Sequence, residues 1–254
     1  MKTKKKRKPA IKRSSRYFEF EKKLKKTYKK LTLAYREVKD SYIDMIFRFA
    51  LAAEYKDDAI GSHLVRIADY CAAIAEELKL PKEKRKTLRY ASIMHDIGKL
   101  ILPDEILQKK SGLTPEEREI VKKHTTLGAE IFKGSDSPLL QSARTIILTH
   151  HERYDGTGYP QGLKKGKIPL SGRIVALADV FDALTSKRSY KEAFGFEESV
   201  EIIKSESGKH FDPRVVRAFL KKIKKIEKIL SATKAIDSFV KEEQLRKDGR
   251  EEAV

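Results

Sequence analysis

A chain of 254 residues, 40% of them hydrophobic, is long enough for one sizeable domain with extensions or for two small ones, and apolar enough to build a core. A single cysteine, Cys71, excludes an intramolecular disulfide framework, and no uninterrupted apolar run approaches the roughly 20 residues of a membrane-spanning helix. The formal net charge of +19 is concentrated at one end: residues 1–30 hold fifteen Lys or Arg against two Glu, which leaves the rest only mildly basic.

These features predict a soluble protein of a reducing, cytoplasmic compartment, because no apolar h-region follows the basic N-terminus either. Cys71 lies among Ile67, Ile74 and Leu78 at helical spacing and reads as a small buried apolar residue. The absence of Asn and Trp, with an excess of Lys and Glu, resembles the composition of thermophile proteins and concerns habitat rather than function.

Residues 1–15, MKTKKKRKPAIKRSS, carry like charge and almost nothing to bury, so a disordered polybasic tail is expected. Its functional reading is contact with nucleic acid or an anionic membrane face; a solvated tail is the plainer one. Over residues 16–53, Phe18, Leu24, Tyr28, Leu31, Tyr35, Val38, Tyr42 and Ile46 recur at spacings of three, four, six and seven, uninterrupted by Gly or Pro. That pattern predicts an N-terminal helical extension of one long helix or two end to end. The spacing is close enough to heptads to permit a coiled-coil homodimer, and equally lets the helix pack on its own domain.

A helix is predicted from Ser62 to about Leu80, with His63, Ile67, Cys71, Ile74 and Leu78 on one stripe and Pro81 closing it. In the next, Leu88, Ala91, Ser92 and His95 share a face, Asp96 follows, and Gly98 ends or loosens the helix. A carboxylate in so apolar a setting needs a partner, either Lys99 or a metal ion. Thr114 with Glu117 forms a capping box for a helix from Pro115 that carries His124 on its apolar side. A helix from Leu139 places His150 and His151 at the end of its stripe. The Gly- and Pro-containing loop 152–170 that follows is long enough to read as a working loop. From Gly172 the pattern is apolar nearly all round, so Asp179 and Asp182 need partners too. HFDP at 210–213 marks a turn between two further helices, and residues 231–254 read as a charged tail or helix. No series of period-two strands appears, so the fold expected is all-α.

Five of the six histidines and two aspartates therefore fall at helix ends or on buried faces. Each alone has a structural explanation, but together they suit Zn, Mn, Fe, Co or Ni and exceed one four-coordinate site. Two ions sharing a bridging carboxylate, acting on a phosphodiester through a bridging hydroxide, is the natural count.

His63, HDIGK at 95–99, HHERYDGTGYP at 150–160 and DVFDALTSKRSYK at 179–191 resemble the motifs of the HD-GYP family. This branch of the HD phosphohydrolase superfamily degrades the bacterial second messenger cyclic di-GMP. The resemblance runs from about Glu54 to Phe219 and implies a compact helical HD-type bundle, given the bounds 54–230. It further implies that His63, His95, Asp96 and Asp179 bind a first ion, and that Asp96 bridges to a second held by His124, His150 and His151. Fe or Mn are the expected metals. Lys99 would stabilise charge beside the hydroxide or scissile phosphate, and Tyr159, Arg188 and Lys191 would bind the dinucleotide. Products would be pGpG and GMP.

Two departures qualify the likeness. Ala59 stands in DDAIGSH where family members with a third metal carry Glu, which predicts two ions, and Arg188-Ser189-Tyr190 replaces the usual RPY. The alternatives are hydrolysis of another cyclic dinucleotide or nucleotide, and a non-catalytic module that binds cyclic di-GMP and signals through contacts.

Overall fold

A computed structural model describes residues 15–57, 62–109, 111–186 and 192–233. The chain divides into two compact units, Met1–Met45 and Ile46–Val254. Among the described residues all named elements are helices, as expected, and the β-type pairing is a single isolated bridge between Ser207 and Phe211. The polybasic segment 1–14 and residues 234–254 lie outside the described residues.

Helix α1 (Ser15–Glu54) runs for 40 residues, and its part up to Met45 is the described portion of the first unit. The second unit continues with α2 (Ser62–Glu77), α3 (Lys82–Ser92), α4 (Asp104–Leu107), α5 (Pro115–Lys122) and α6 (His124–Ile131). Then come α7 (Pro138–Ile147), α8 (Leu170–Thr185), α9 (Phe196–Ser205) and α10 (Pro213–Lys221), with helical backbone over 223–233.

The apolar periodicities explain the packing. Helix α2 lies against α3 and α8, and α3 against α7, with α8 buried nearly all round. Tyr70 and Phe219 meet Phe181 edge to face at centroid distances of 5.6 and 4.9 Å. Side chains of this size each contribute roughly 1.5–3 kcal/mol through burial. Cys71 is fully buried among them, which pushes its thiol pKa up and leaves it an inert core residue. Ile46 joins this core, whereas Met45 and Phe49 stay exposed.

Two helices are shorter than their periodicity predicts. Helix α3 stops at Ser92, and the chain continues through i→i−3 bonds: Met94 N to Ala91 O, His95 N to Ser92 O, Ile97 N to Met94 O and Lys99 N to Asp96 O. The tighter winding leads into a short 3-10 helix, Ile97–Ile101, that crosses α6 at Gly98 and Gly128. A Cβ on Gly98 would lie 1.9 Å from the His124 carbonyl oxygen, so only glycine permits this approach. The helix from Pro115 also divides, at Lys123, so that His124 opens α6. Its start is the predicted capping box, in which Thr114 Oγ1 accepts from Glu117 N at 3.2 Å and Glu117 Oε2 from Thr114 N at 2.8 Å.

Candidate metal centre

The Gly98–Gly128 crossing sets Asp96 beside His124, and the end of α7 delivers His150 and His151 to the same place. Ligand-type atoms of Asp96, His124, His150 and His151 all lie within 4.8 Å of one another, and so do those of His63, His95 and Asp179. Asp96 stands between the sets. Its Oδ1 is 3.3 Å from His124 Nε2 and 3.4 Å from His150 Nε2, while its Oδ2 is 3.6 Å from His95 Nε2. Asp179 Oδ1 lies 3.8 Å from His95 Nε2 and 4.0 Å from His63 Nε2.

In His95, His124 and His150 the outward nitrogen settles which atom faces inward. Nδ1 of His95 donates to Ser92 O at 2.9 Å, that of His124 to Val121 O at 2.7 Å, and that of His150 to Ile147 O at 3.0 Å. A carbonyl can only accept, so these Nδ1 atoms carry protons and the Nε2 lone pairs point at Asp96 and Asp179. His63 is held differently: its Nδ1 lies 2.7 Å from Asp182 Oδ2, and Asp182 is gripped by Arg66 through Nε at 2.5 Å and Nη2 at 2.9 Å.

That arrangement is the test of fit for a cation. His95 Nε2 and Asp96 Oδ1 are buried without a hydrogen-bond partner. Acceptors that face one another at 3.3 Å repel unless positive charge lies between them, and neutral imidazole with carboxylate is the donor set of a divalent transition metal. The cluster can therefore hold divalent metal.

The electrostatics of Asp96, His95 and His151 agree with this geometry, whereas His63 is held in its protonated form by Asp182. Burial alone would raise the Asp96 carboxyl, but Lys99, with Nζ 2.7 Å from Oδ2, and the surrounding histidines hold it well below the usual range. Burial lowers His95 to about 4 and takes His151 well below its ordinary value, the latter helped by His150 and His124. Burial would lower His63 as well, yet Asp182 overrides it and lifts the ring to about 9. Asp182 is itself held at about 2: desolvation opposes its ionisation, and the bonds to His63 and Arg66 outweigh that cost. His210 lies outside both sets, stacked on Phe211 at 4.3 Å, and burial lowers it to about 4.

Seven residues expected in the metal shell thus meet at one place, with Lys99 at its edge. Tyr159 borders it too, its ring stacked on His151 at 4.8 Å with 24° between planes and Lys122 Nζ 5.4 Å from its centroid. Arg188 and Lys191 lie outside the described residues, as does Ala59.

Sequence reasoning missed Arg66, although its position three residues after His63 on the buried stripe was a usable signal. It also missed Glu152, a fully desolvated carboxylate that accepts from Gln161 N at 2.7 Å and Leu163 N at 2.9 Å and so pins the Tyr159 loop. Gly158 lets that loop fold back, since a Cβ there would sit 2.3 Å from Arg153 N.

The HD domain family profile matches residues 49–215, well over half the chain. This chain belongs to the HD domain family. Its HDIGK and HHERYDGTGYP stretches place it in the HD-GYP branch. The chain is 44% identical over 204 residues to a cyclic di-GMP phosphodiesterase of Thermotoga maritima, an alignment covering 80% of this chain and 55% of that one. It is 40% identical to the cyclic di-GMP phosphodiesterase response regulator RpfG of Xanthomonas campestris pv. campestris, over 79% of this chain and 53% of that one. The chain spans about half the length of these curated relatives. Its fold matches a crystal structure of a cyclic GMP-AMP-specific phosphodiesterase of Vibrio cholerae with a TM-score of 0.58 at 21% identity, over 77% of this chain and 51% of that one. Among the described residues no helix is long and apolar enough to cross a membrane.

Proposed function

We propose that this HD domain is a metal-dependent phosphodiesterase that hydrolyses cyclic di-GMP to pGpG and onward to GMP. The observation that carries the reading is the Asp96 carboxylate, which offers one oxygen to His124 and His150 and the other to His95. A carboxylate so placed suits two divalent ions: His63, His95, Asp96 and Asp179 around one, and Asp96, His124, His150 and His151 around the other. The histidine-rich shell favours Fe or Mn over Mg or Ca. Such a pair of ions acidifies water and stabilises the oxygens of an in-line phosphoryl displacement.

The chain's own residues supply the rest. The Nδ1 bonds to Ser92, Val121 and Ile147 carbonyls and to Asp182 keep the four rings aimed inward without further reorganisation. Lys99, anchored on Asp96, puts a cation where a phosphodiester oxygen gains charge. The Tyr159 face, backed by His151 and held by the Glu152-pinned loop, suits stacking of a guanine base. Arg188 and Lys191 are assigned by motif to hydrogen bonds with guanine or phosphate.

The relatives named as acting on cyclic di-GMP, at 44% and 40% identity, support this substrate. A Vibrio cholerae relative 39% identical over 184 residues is named as a 3'3'-cGAMP-specific phosphodiesterase, so hydrolysis of another cyclic dinucleotide is the second reading. The catalytic reading is favoured over a non-catalytic binding module because the ligand-type atoms within the His63 set, and those within the Asp96 set, lie within 4.8 Å of one another. Purified protein loaded with Mn or Fe and given each dinucleotide alone and in competition tests the choice. Turnover of cyclic di-GMP with pGpG appearing before GMP is expected; folded, metal-loaded protein that leaves it intact overturns the proposal.

A further inference from the structure

In α1 the residues Leu24, Tyr28, Leu31, Tyr35, Val38, Tyr42 and Met45 alternate at spacings of four and three, a strict seven-residue repeat. All seven are exposed, from 39% at Tyr42 to 72% at Tyr28. The core-facing stripe of the helix is a different one: at its C-terminal end Ile46 and Ala50 are buried while Phe49, next in the repeat after Met45, stays 60% exposed. We infer that this seam pairs with the same seam of a second copy of the chain, as a parallel, in-register coiled coil.

Three features select that occupant. First, the stripe is narrow. Between residues 22 and 44 the apolar side chains off the seam are Leu33, Ala34 and Ile43, and the remaining positions are Lys, Arg, Glu, Asp, Ser or Thr. A repeat averaging 3.5 residues on so thin a stripe matches a helix of equal pitch, whereas a bilayer surface takes a broader face. Second, the flanks select direction. Lys25, Thr32 and Lys39 line one edge and Thr27, Ala34 and Ser41 the other. Parallel pairing sets Ala34 opposite Lys39 and Thr27 opposite Thr32, with small residues that let the backbones approach. Antiparallel pairing sets Lys25 against Lys39 across one edge. Third, seven side chains on each copy, at roughly 100 Å² apiece, bury about 1,400 Å² in total, within the range of a stable specific interface.

One effect opposes the pairing and gives it a signature. Lys22, Lys23, Lys26, Lys29 and Lys30 crowd the outer faces near one end, so two parallel copies repel there. Salt screens that repulsion, and the dimer should strengthen as salt rises. Docking to an acidic partner or an anionic membrane would weaken instead.

Sedimentation velocity of the full chain at low and high salt tests the inference. The expected result is a monomer–dimer equilibrium that moves toward dimer with salt. Leu31→Glu combined with Val38→Glu should weaken it by more than about tenfold, and Leu33→Glu on the outer face should leave it unchanged. Should the double variant lose helicity, cross-linking gives an independent readout, because the native Cys71 is buried. Val38→Cys should form a disulfide-linked dimer on mild oxidation and Leu33→Cys should not. A monomer at both salts, equal weakening by Leu33→Glu, or equal cross-linking at the two positions overturns the pairing. So does binding of the monomer to phosphatidylglycerol vesicles that is lost in the double variant, which would assign the stripe to a membrane.

Discussion

Asp182 shows how much one side chain outside the metal-facing set decides. Its carboxylate is almost wholly buried, receives Arg66 on both oxygens and holds His63 Nδ1 at 2.7 Å, so the ring has a single orientation in which Nε2 faces Asp179. An amide in its place keeps the shape but loses the charge that grips both Arg66 and His63. Asp182→Asn should weaken divalent-metal binding by about 10- to 100-fold, measured by titration against a competing chelator, with the circular dichroism spectrum retained. Unchanged metal affinity would mean that the Asp182–Arg66 pair serves packing alone. From the sequence Asp182 was visibly a buried carboxylate in want of a partner, but the partner lies 116 residues away on α2 and no local pattern names it.

Five of the seven metal-facing groups are carried where elements end: His95 and Asp96 in the turn after α3, His124 as the first residue of α6, His150 and His151 in the turn after α7; His63 lies in the first turn of α2, and Asp179 within α8. The 3-10 helix and α6 approach so closely at Gly98 and Gly128 that Asp96 and His124 come within 3.3 Å, and the geometry of that pair is the geometry of the crossing. Gly98→Ala inserts a methyl group into the His124 carbonyl and must push the two elements apart. Destabilisation of about 1–3 kcal/mol is expected from overpacking, read by urea denaturation of the metal-free protein. Metal affinity that falls along with stability would locate the damage at Asp96 and His124; unchanged affinity would show that the crossing does not set the geometry of that pair. Sequence reasoning took Gly98 for a helix-ending residue, and it does mark where regular α-helix is absent. Its larger role as a crossing point depends on α6 and is invisible along the chain.

At the scale of the whole molecule, a centre lined by inward-facing lone pairs is a place where the folded chain repels itself until a cation arrives. Metal that binds only the folded state adds about 2.7 kcal/mol of stability per site when present at 100 times its dissociation constant. Chelation should therefore lower the melting temperature by several degrees, at about 2–4 °C per kcal/mol for a unit of this size, and re-addition of Mn should restore it. In Asp96→Ala, which removes the carboxylate facing both sets, the melting temperature should respond far less to chelator or Mn. A response equal to that of the wild type would show that the ions bind elsewhere.

The all-helical class, the capping box at Thr114 and the histidines and aspartates that come together in the core are legible in the sequence. Periodicity and capping act over a few residues, and histidines on apolar stripes advertise themselves. The heptad repeat in α1 is legible as well, with Ile46 counted in it by spacing; packing turns Ile46 into the core, and Met45 continues the exposed seam. What the tertiary structure alone decided are relations across long separations: Asp96 offering its two oxygens in different directions, Asp182 and Arg66 behind His63, Glu152 pinning the loop of Tyr159. Each depends on where distant backbones cross, and a crossing is set by the sum of packing over the whole core rather than by any stretch of residues read in order.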